Sequence, residues 1–275
     1  MESRRIIQGL GFDLLYADTD AVFLSKDGAT VEDFISVKDI LVKEIGLPIS
    51  LEYYYKFLVL LPLEADERIE ALKHYYGITQ SNELIARGIE VRRHDTPNFI
   101  KDFQTELLYT LFDYTNSTDV LLNTYENALL VVTRTIDRIM TGEIPIKDLI
   151  VSKILRQDLH KYRNLFPHVA AALQLSEAGV PLERGHTIHY IYTNAAHSNP
   201  LRRVTPLNLI DEDNEQDYDK DKYREMLLEA AETVFGCFGF SRTMYGDSSG
   251  RTKRKWWYAL REERTRDIET ERSLG

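Results

Sequence analysis

Leu14-Leu15-Tyr16-Ala17-Asp18-Thr19-Asp20-Ala21-Val22-Phe23-Leu24 sets two carboxylates, one residue apart, between two apolar runs. Each run has the make-up of a buried strand, so the Asp pair falls in or beside the tight connection of a hairpin. Alternation along an extended backbone turns Asp18 and Asp20 to one side and Thr19 to the other. Like charges that close repel, and burying them costs several kcal/mol unless a cation joins them. A pair of Mg²⁺ ions removes that cost. A solvated turn is the alternative, because Asp favours turns for its own hydrogen-bonding reasons. This stretch alone does not separate the two.

Working outward, residues 12 to 25 read as two strands around the pair. Val31, Phe34, Ile35, Val37, Ile40, Leu41 and Ile45 recur with helical period over residues 31 to 45, and Gly46 and Pro48 follow as stop signals. Residues 51 to 61 are aromatic and aliphatic, the composition of a buried strand. Sheet character ends near Asp95-Thr96-Pro97. Beyond it helices dominate: Phe99 to Phe112, Val120 to Met140 (with Thr118 or Asp119 as cap), Pro167 to Ala178, and Asp219 to Phe235. His186 to Thr193 alternates as a short strand. The tail from Ser241 to Gly275 is rich in Arg and Glu around Trp256-Trp257-Tyr258. It is either a helix that docks through those aromatics or a flexible end. The fold class is therefore α+β, a small sheet-bearing domain (1–95), a mainly helical one (96–240) and a charged, aromatic tail (241–275).

The chain has 275 residues, 43% of them hydrophobic and 28% charged, values of a folded globular protein. Its one cysteine, Cys237, excludes an internal disulfide, and the apolar Val234-Phe235-Gly236-Cys237-Phe238 setting predicts a buried thiol. No run reaches the ~20 apolar residues that span a bilayer, and the start lacks a signal peptide. The expectation is a cytoplasmic protein without membrane contact. The net charge of −10 argues against nucleic acid as a partner. Its distribution leaves room for a basic groove: Arg87, Arg92, Arg93 and His94 cluster, as do Lys147, Lys153, Arg156 and Lys161, and Arg251, Lys253, Arg254 and Lys255.

Tyr16-Ala17-Asp18-Thr19-Asp20-Ala21 resembles the third polymerase motif of family B DNA polymerases, usually Tyr-Gly-Asp-Thr-Asp-Ser. Further segments resemble that family in its order. Lys73-His74-Tyr75-Tyr76-Gly77 is similar to the Lys-x-Tyr segment that touches primer–template DNA. Arg87-Gly88-Ile89-Glu90-Val91-Arg92-Arg93-His94-Asp95 is similar to the passage from palm to thumb. Gly142 to Ile150, Pro167 to Ala172 and Asp217 to Phe240 resemble thumb landmarks. The family's exonuclease, its first palm motif (Asp-x-x-Ser-Leu-Tyr-Pro-Ser) and its fingers helix (Lys-x-x-x-Asn-Ser-x-Tyr-Gly) are not in these residues. The chain thus resembles the end of the palm and the whole thumb, as in the small subunit of archaeal polymerases split at about this point.

The resemblance implies a DNA-directed DNA polymerase active only with a large subunit that carries the exonuclease, the first palm motif and the fingers. It implies Asp18 and Asp20 as catalytic metal ligands for two Mg²⁺ ions, completed by a carboxylate of that partner, with Tyr16 and Thr19 in support. Lys73 and Tyr75 would touch the backbone or minor groove of the primer–template, and Arg87, Arg92 and Arg93 its phosphates. A dNTP is the other substrate, and a sliding clamp is a candidate partner for the Trp256-Trp257 tail. There are departures: Ala17 and Ala21 replace the usual Gly and Ser, Tyr53-Tyr54-Tyr55 replaces an acidic-Lys segment, and Pro62 to Ala71 reads as an inserted surface loop. Ala21 and the Tyr-rich segment favour the runner-up, a non-catalytic DNA-binding or assembly subunit with a decayed metal site, which both aspartates oppose. Other motifs are weak. His186 and His189 fall on opposite faces of a strand, Asp211 to Asp217 lacks the Gly of a calcium loop, and Asn116-Ser117-Thr118 is a glycosylation sequon by pattern only.

Overall fold

The computed structural model describes residues 2–46, 48–63, 66–112, 120–210 and 217–245, with backbone only for 66–69 and 120–123. The expected cap at Thr118 or Asp119, the Asn116 sequon, most of the acidic stretch from Asp211 and the Trp256-Trp257 tail lie outside them. The chain divides into two compact units, Met1–Arg92 and Arg93–Gly275.

The first unit begins with helix α1 (Glu2–Gly9), followed by strands β1 (Asp13–Ala17) and β2 (Val22–Ser25). They form an antiparallel hairpin that pairs Leu14 with Leu24 and Ala17 with Val22, and a bulge at Leu15 shifts the register. Helix α2 (Val31–Ile45) has the bounds that the apolar period gave. A capping box between Thr30 and Asp33 starts it, and Gly46 at φ 74° ends it with its N–H on the Val42 carbonyl. Ile7, Phe12, Val37 and Leu41 form the buried core between these elements.

A meander of β3 (Tyr55–Leu63), β4 (Asp66–Thr79) and β5 (Leu84–Arg87) completes the unit, antiparallel throughout. The expected strand from Leu51 starts later, at Tyr55. Tyr54 instead donates its hydroxyl to the Ala29 carbonyl at 3.1 Å and packs its ring 5.5 Å from Phe34, which ties the approach to the start of α2. The segment Pro62 to Ala71 is no surface loop: Pro62 pairs with Glu70 and Leu63 with Asp66, so the added residues lengthen the β3–β4 ribbon. An insertion of this kind keeps its backbone hydrogen bonds in the ladder instead of giving them to water.

The second unit combines helices and a small sheet. Helices α3 (Asn98–Phe112), α4 (Val120–Thr141) and α6 (Lys220–Phe235) pack on one another. Phe99, Ile100, Phe103, Leu107, Leu108 and Leu111 give α3 its buried face, and the buried Gln104 amide donates to the Ala230 carbonyl of α6 at 3.0 Å. Strands β6 (Val151–Ile154), β7 (Thr187–Tyr192) and β8 (Val204–Pro206) form an antiparallel sheet in that order. Helix α5 (Pro167–Glu177) covers one face, where Ala170, Ala171, Ala172 and Leu175 meet Val151, Ile188, Tyr190 and Val204. The sequence signalled only β7 of these strands. The α+β class holds for the chain as a whole. Cys237 is exposed, against expectation. Helix α6 ends at Phe235, and a 3-10 turn over Gly236–Phe238 swings Cys237 off the face that buries Val234 and Phe235.

Candidate active site

The Asp hairpin turns in the fewest residues a hairpin allows. Asp18 N–H donates to the Ala21 carbonyl at 2.9 Å, leaving Thr19 and Asp20 as the tip. The Asp18 carboxylate folds back into this turn. Its Oδ1 accepts from the N–H groups of Asp20 (2.7 Å) and Ala21 (2.8 Å), and its Oδ2 accepts from the Tyr16 hydroxyl at 3.2 Å. This is the side-chain mimicry of a backbone turn for which Asp is suited. The chain is therefore not extended through the pair, and strand alternation does not apply there. Asp18 is held inward by its own turn and Asp20 stands out in solvent.

Strand β4 meets this tip. The Lys73 N–H donates to the Tyr16 hydroxyl at 2.9 Å, and the Lys73 ammonium pairs with Asp20 Oδ2. The four residues close a ring of hydrogen bonds: Lys73 N–H to Tyr16, Tyr16 hydroxyl to Asp18, Asp20 N–H to Asp18, and the Lys73 ammonium to Asp20. Lys73 adopts φ 60°, a left-handed conformation that costs a side-chain-bearing residue roughly 1–2 kcal/mol. Gly88, at φ 72°, makes room for it. A Cβ there would lie 2.5 Å from the Lys73 carbonyl oxygen and 2.7 Å from the His74 ring. Below the tip, Phe23 packs edge-on against Tyr16 (5.5 Å) and Tyr75 (5.0 Å).

The electrostatics follow from these contacts. Burial pushes the Asp18 carboxyl up, but the backbone N–H groups of Asp20 and Ala21 outweigh it and hold its pKa below the usual value. The Lys73 ammonium lowers Asp20, and Asp20 raises Lys73 in return. Burial raises the Tyr16 phenol, against the opposing pull of the Lys73 N–H. Both aspartates are thus ionised at neutral pH, and the second is already matched with a cation.

Of the residues singled out in the sequence, Tyr16, Asp18, Thr19, Asp20 and Lys73 come together here. Tyr75 lies beside them, but its ring is buried against Phe23 and faces the core. Arg87 is exposed on β5, opposite Tyr75, and Arg92 is exposed in the turn that ends the first unit. Arg93 belongs to the second unit and grips Asp95 with two hydrogen bonds, 3.1 and 3.2 Å, while Lys153 takes the same carboxylate. Burial raises Asp95, yet the two cations hold its pKa down at about 2. Gly88 and Phe23 belong to the site's frame and carried no role in the sequence reading; a Gly directly after Arg87 was the available signal for the first.

Mg²⁺ takes oxygen ligands and keeps several waters. Asp20 fits such an ion: its carboxylate is 69% exposed and its ammonium partner 55%. Asp18 fixes the tip through Oδ1, which accepts two hydrogen bonds, while Oδ2 accepts one and keeps a lone pair that an ion could take. Among the described residues no group of three or more His, Cys, Asp or Glu could hold a metal. An Mg²⁺ ion held at Asp20 would need most of its octahedral shell from other oxygen donors.

Comparison with known proteins decides the family. The model for "DNA polymerase family B" matches residues 2–238. The chain belongs to DNA polymerase family B. It is 30% identical over 210 residues to a DNA polymerase of Archaeoglobus fulgidus, a match covering 76% of this chain and 25% of that protein. It is 27% identical over 245 residues to a DNA polymerase of Desulfurococcus sp. (strain Tok), covering 87% of this chain and 29% of that one. The fold is similar to that of the family B DNA polymerase from the archaeon Pyrobaculum calidifontis, with TM-score 0.60 and 23% identity over 85% of this chain and 28% of that one. This family B chain thus spans between a quarter and a third of the length of these relatives. Among the described residues no helix is long and apolar enough to cross a membrane.

Proposed function

We propose that this chain supplies part of the two-metal nucleotidyl-transfer site and the duplex-gripping thumb of a family B DNA polymerase. In this reading residues 1–95 are the end of the palm and residues 96–240 the thumb. The chain acts as a small subunit beside a larger polypeptide that carries the exonuclease, the first palm motif and the fingers. The observation that carries the reading is the exposed Asp20 carboxylate at the tip of a hairpin that Asp18 locks from behind. Family membership and two carboxylates where a two-metal site needs more oxygen donors are what support a partner. Mg²⁺ bound there would supply the Lewis acidity that activates the primer 3′-hydroxyl and stabilises the leaving pyrophosphate of a dNTP.

The chain's own residues have distinct tasks. Asp20 presents an ionised carboxylate that has no proton to lose before it takes a metal, and Lys73 holds its pKa below the usual value. Asp18 holds the Asp20 and Ala21 amides, so the carboxylate is positioned before substrate arrives. Lys73, Arg87, Arg92 and Arg93 would meet phosphates of the primer–template, contacts that position DNA without reading sequence. Tyr75 supports Phe23 beneath the hairpin, and its part in gripping the duplex would be to hold the strand that presents Lys73.

Primer extension tests the reading. The chain alone is expected to extend nothing, and the chain mixed with its large partner to extend a primer. Asp20→Asn is expected to lower that activity by a factor on the order of 10³, the loss typical of removing a preorganised charge from such a site. Extension by the single chain, or full activity of the Asp20→Asn complex, overturns it.

A further inference from the structure

The Asp20–Lys73 pair is more elaborate than a surface ion pair. Long side chains on a surface meet through flexible stems and gain little. Here the backbone that carries Lys73 is fixed at three points: its N–H on the Tyr16 hydroxyl at 2.9 Å, its carbonyl against the Gly88 backbone where no Cβ fits, and a left-handed φ of 60°. Strain of this kind persists only where the surroundings over-determine it, and it clusters at functional positions. The Tyr16 hydroxyl that anchors Lys73 also holds Asp18, so one phenol sets the ammonium and the turn together.

We propose that Lys73 is a tethered counter-ion of Asp20 that a divalent cation displaces, and that its release delivers a free ammonium to a substrate phosphate beside the metal. The inference rests on the metal-site reading above and adds a coupling to it. Without metal, the ammonium neutralises the exposed carboxylate and limits its repulsion with Asp18. A doubly charged ion at Asp20 outcompetes the single charge and repels it. The backbone anchor keeps the released side chain within reach of the site, and its four-carbon stem lets the ammonium move to an incoming phosphate. Metal and phosphate then strengthen each other's binding, and by linkage the effect is reciprocal.

Mn²⁺ binding to the chain assembled with its large partner, read as free Mn²⁺ by electron paramagnetic resonance, gives a test without turnover. Lys73→Ala, which keeps a side-chain-bearing residue at the strained φ, is expected to bind Mn²⁺ about fivefold more tightly, the factor that an exposed ion pair at the top of its range represents. Lys73→Arg keeps the competing charge and should show no such gain. Asp20→Asn should lose the site in either background. In parallel, saturating Mg²⁺ should move the Lys73 Cε–Hε NMR resonance to its position in Asp20→Asn. If Asp20→Asn loses Mn²⁺ but Lys73→Ala gains nothing and the resonance stays in place, the exchange is overturned while the metal site survives. If Asp20→Asn binds like the wild type, or no variant binds, the metal reading falls and the exchange with it. Circular dichroism of each variant separates these outcomes from misfolding.

Discussion

Tyr223 in the second unit and Tyr16 in the first each bridge two partners with one hydroxyl, in opposite surroundings. Tyr223 is fully buried; it donates to the Leu149 carbonyl at 2.8 Å and accepts from the Tyr192 N–H at 3.0 Å. Both partners are backbone, the Leu149 carbonyl is fully buried and the Tyr192 N–H partly so, and burial pushes the phenol far above its ordinary pKa. Tyr16 accepts from the Lys73 N–H and donates to Asp18, but its chain of hydrogen bonds ends on Asp20 and the Lys73 ammonium, both in water. A hydrogen bond inside a sealed network is costly to break and impossible to exchange. One that runs out to solvent contributes little to stability and can trade partners. The second unit uses tyrosine to hold elements together, and the first uses it to position a charge.

That contrast is open to measurement, and the largest effect should come from Tyr223. Tyr223→Ala is expected to destabilise the chain by about 3–5 kcal/mol in urea unfolding, through the cavity and the two stranded backbone groups. Tyr223→Phe, which strands the groups without the cavity, should cost about 1–3 kcal/mol. Gly88→Ala should cost about 3 kcal/mol despite its exposed position, because a methyl group would meet the Lys73 carbonyl and the φ of 72° is unfavourable. A neutral Gly88→Ala would mean that the notch does not constrain Lys73.

Asp95 sharpens the comparison within the second unit. Its folded pKa of about 2 lies below the unfolded value, so its pairing stabilises above about pH 4 and is lost as pH falls toward 2. About 1–2 kcal/mol should disappear over that window. Asp95→Asn should flatten this part of the stability profile; an unchanged slope would remove the carboxylate from the account. Tyr16→Phe should have the smallest effect, about 1 kcal/mol or less, since its partners reach water. A cost equal to that of Tyr223→Phe would break the contrast.

Much of the frame was legible in the sequence, for identifiable reasons. The hairpin showed because apolar runs flank Asp18 and Asp20, and α2 showed because its period agrees with the stop signals Gly46 and Pro48. What was hidden depended on contacts far apart in sequence or on turn chemistry. The way Asp18 curls back follows from its own hydrogen bonds and not from strand alternation. Lys73 reaches Asp20 only because the β3–β4–β5 meander carries it there. Strands β6 and β8 are short, and the polar Ser152, Lys153 and Thr205 obscure any alternation. Cys237 sat among apolar neighbours in sequence, yet the turn after α6 puts it outside.

The closed ring at the tip also bears on the order of folding. The meander joins strands that are neighbours in sequence, so its contacts close short loops and should form early. The Tyr16–Lys73 bond spans 57 positions, and the Asp20–Lys73 pair 53. Their loop must be closed before they return anything, and they gain least when they form. The part of the chain that prepares its charge is therefore the part that should set last, with a φ-value near zero for Tyr16→Phe. A protein whose first unit has folded but whose ring is still open would pass for native by its sheet and still lack its site.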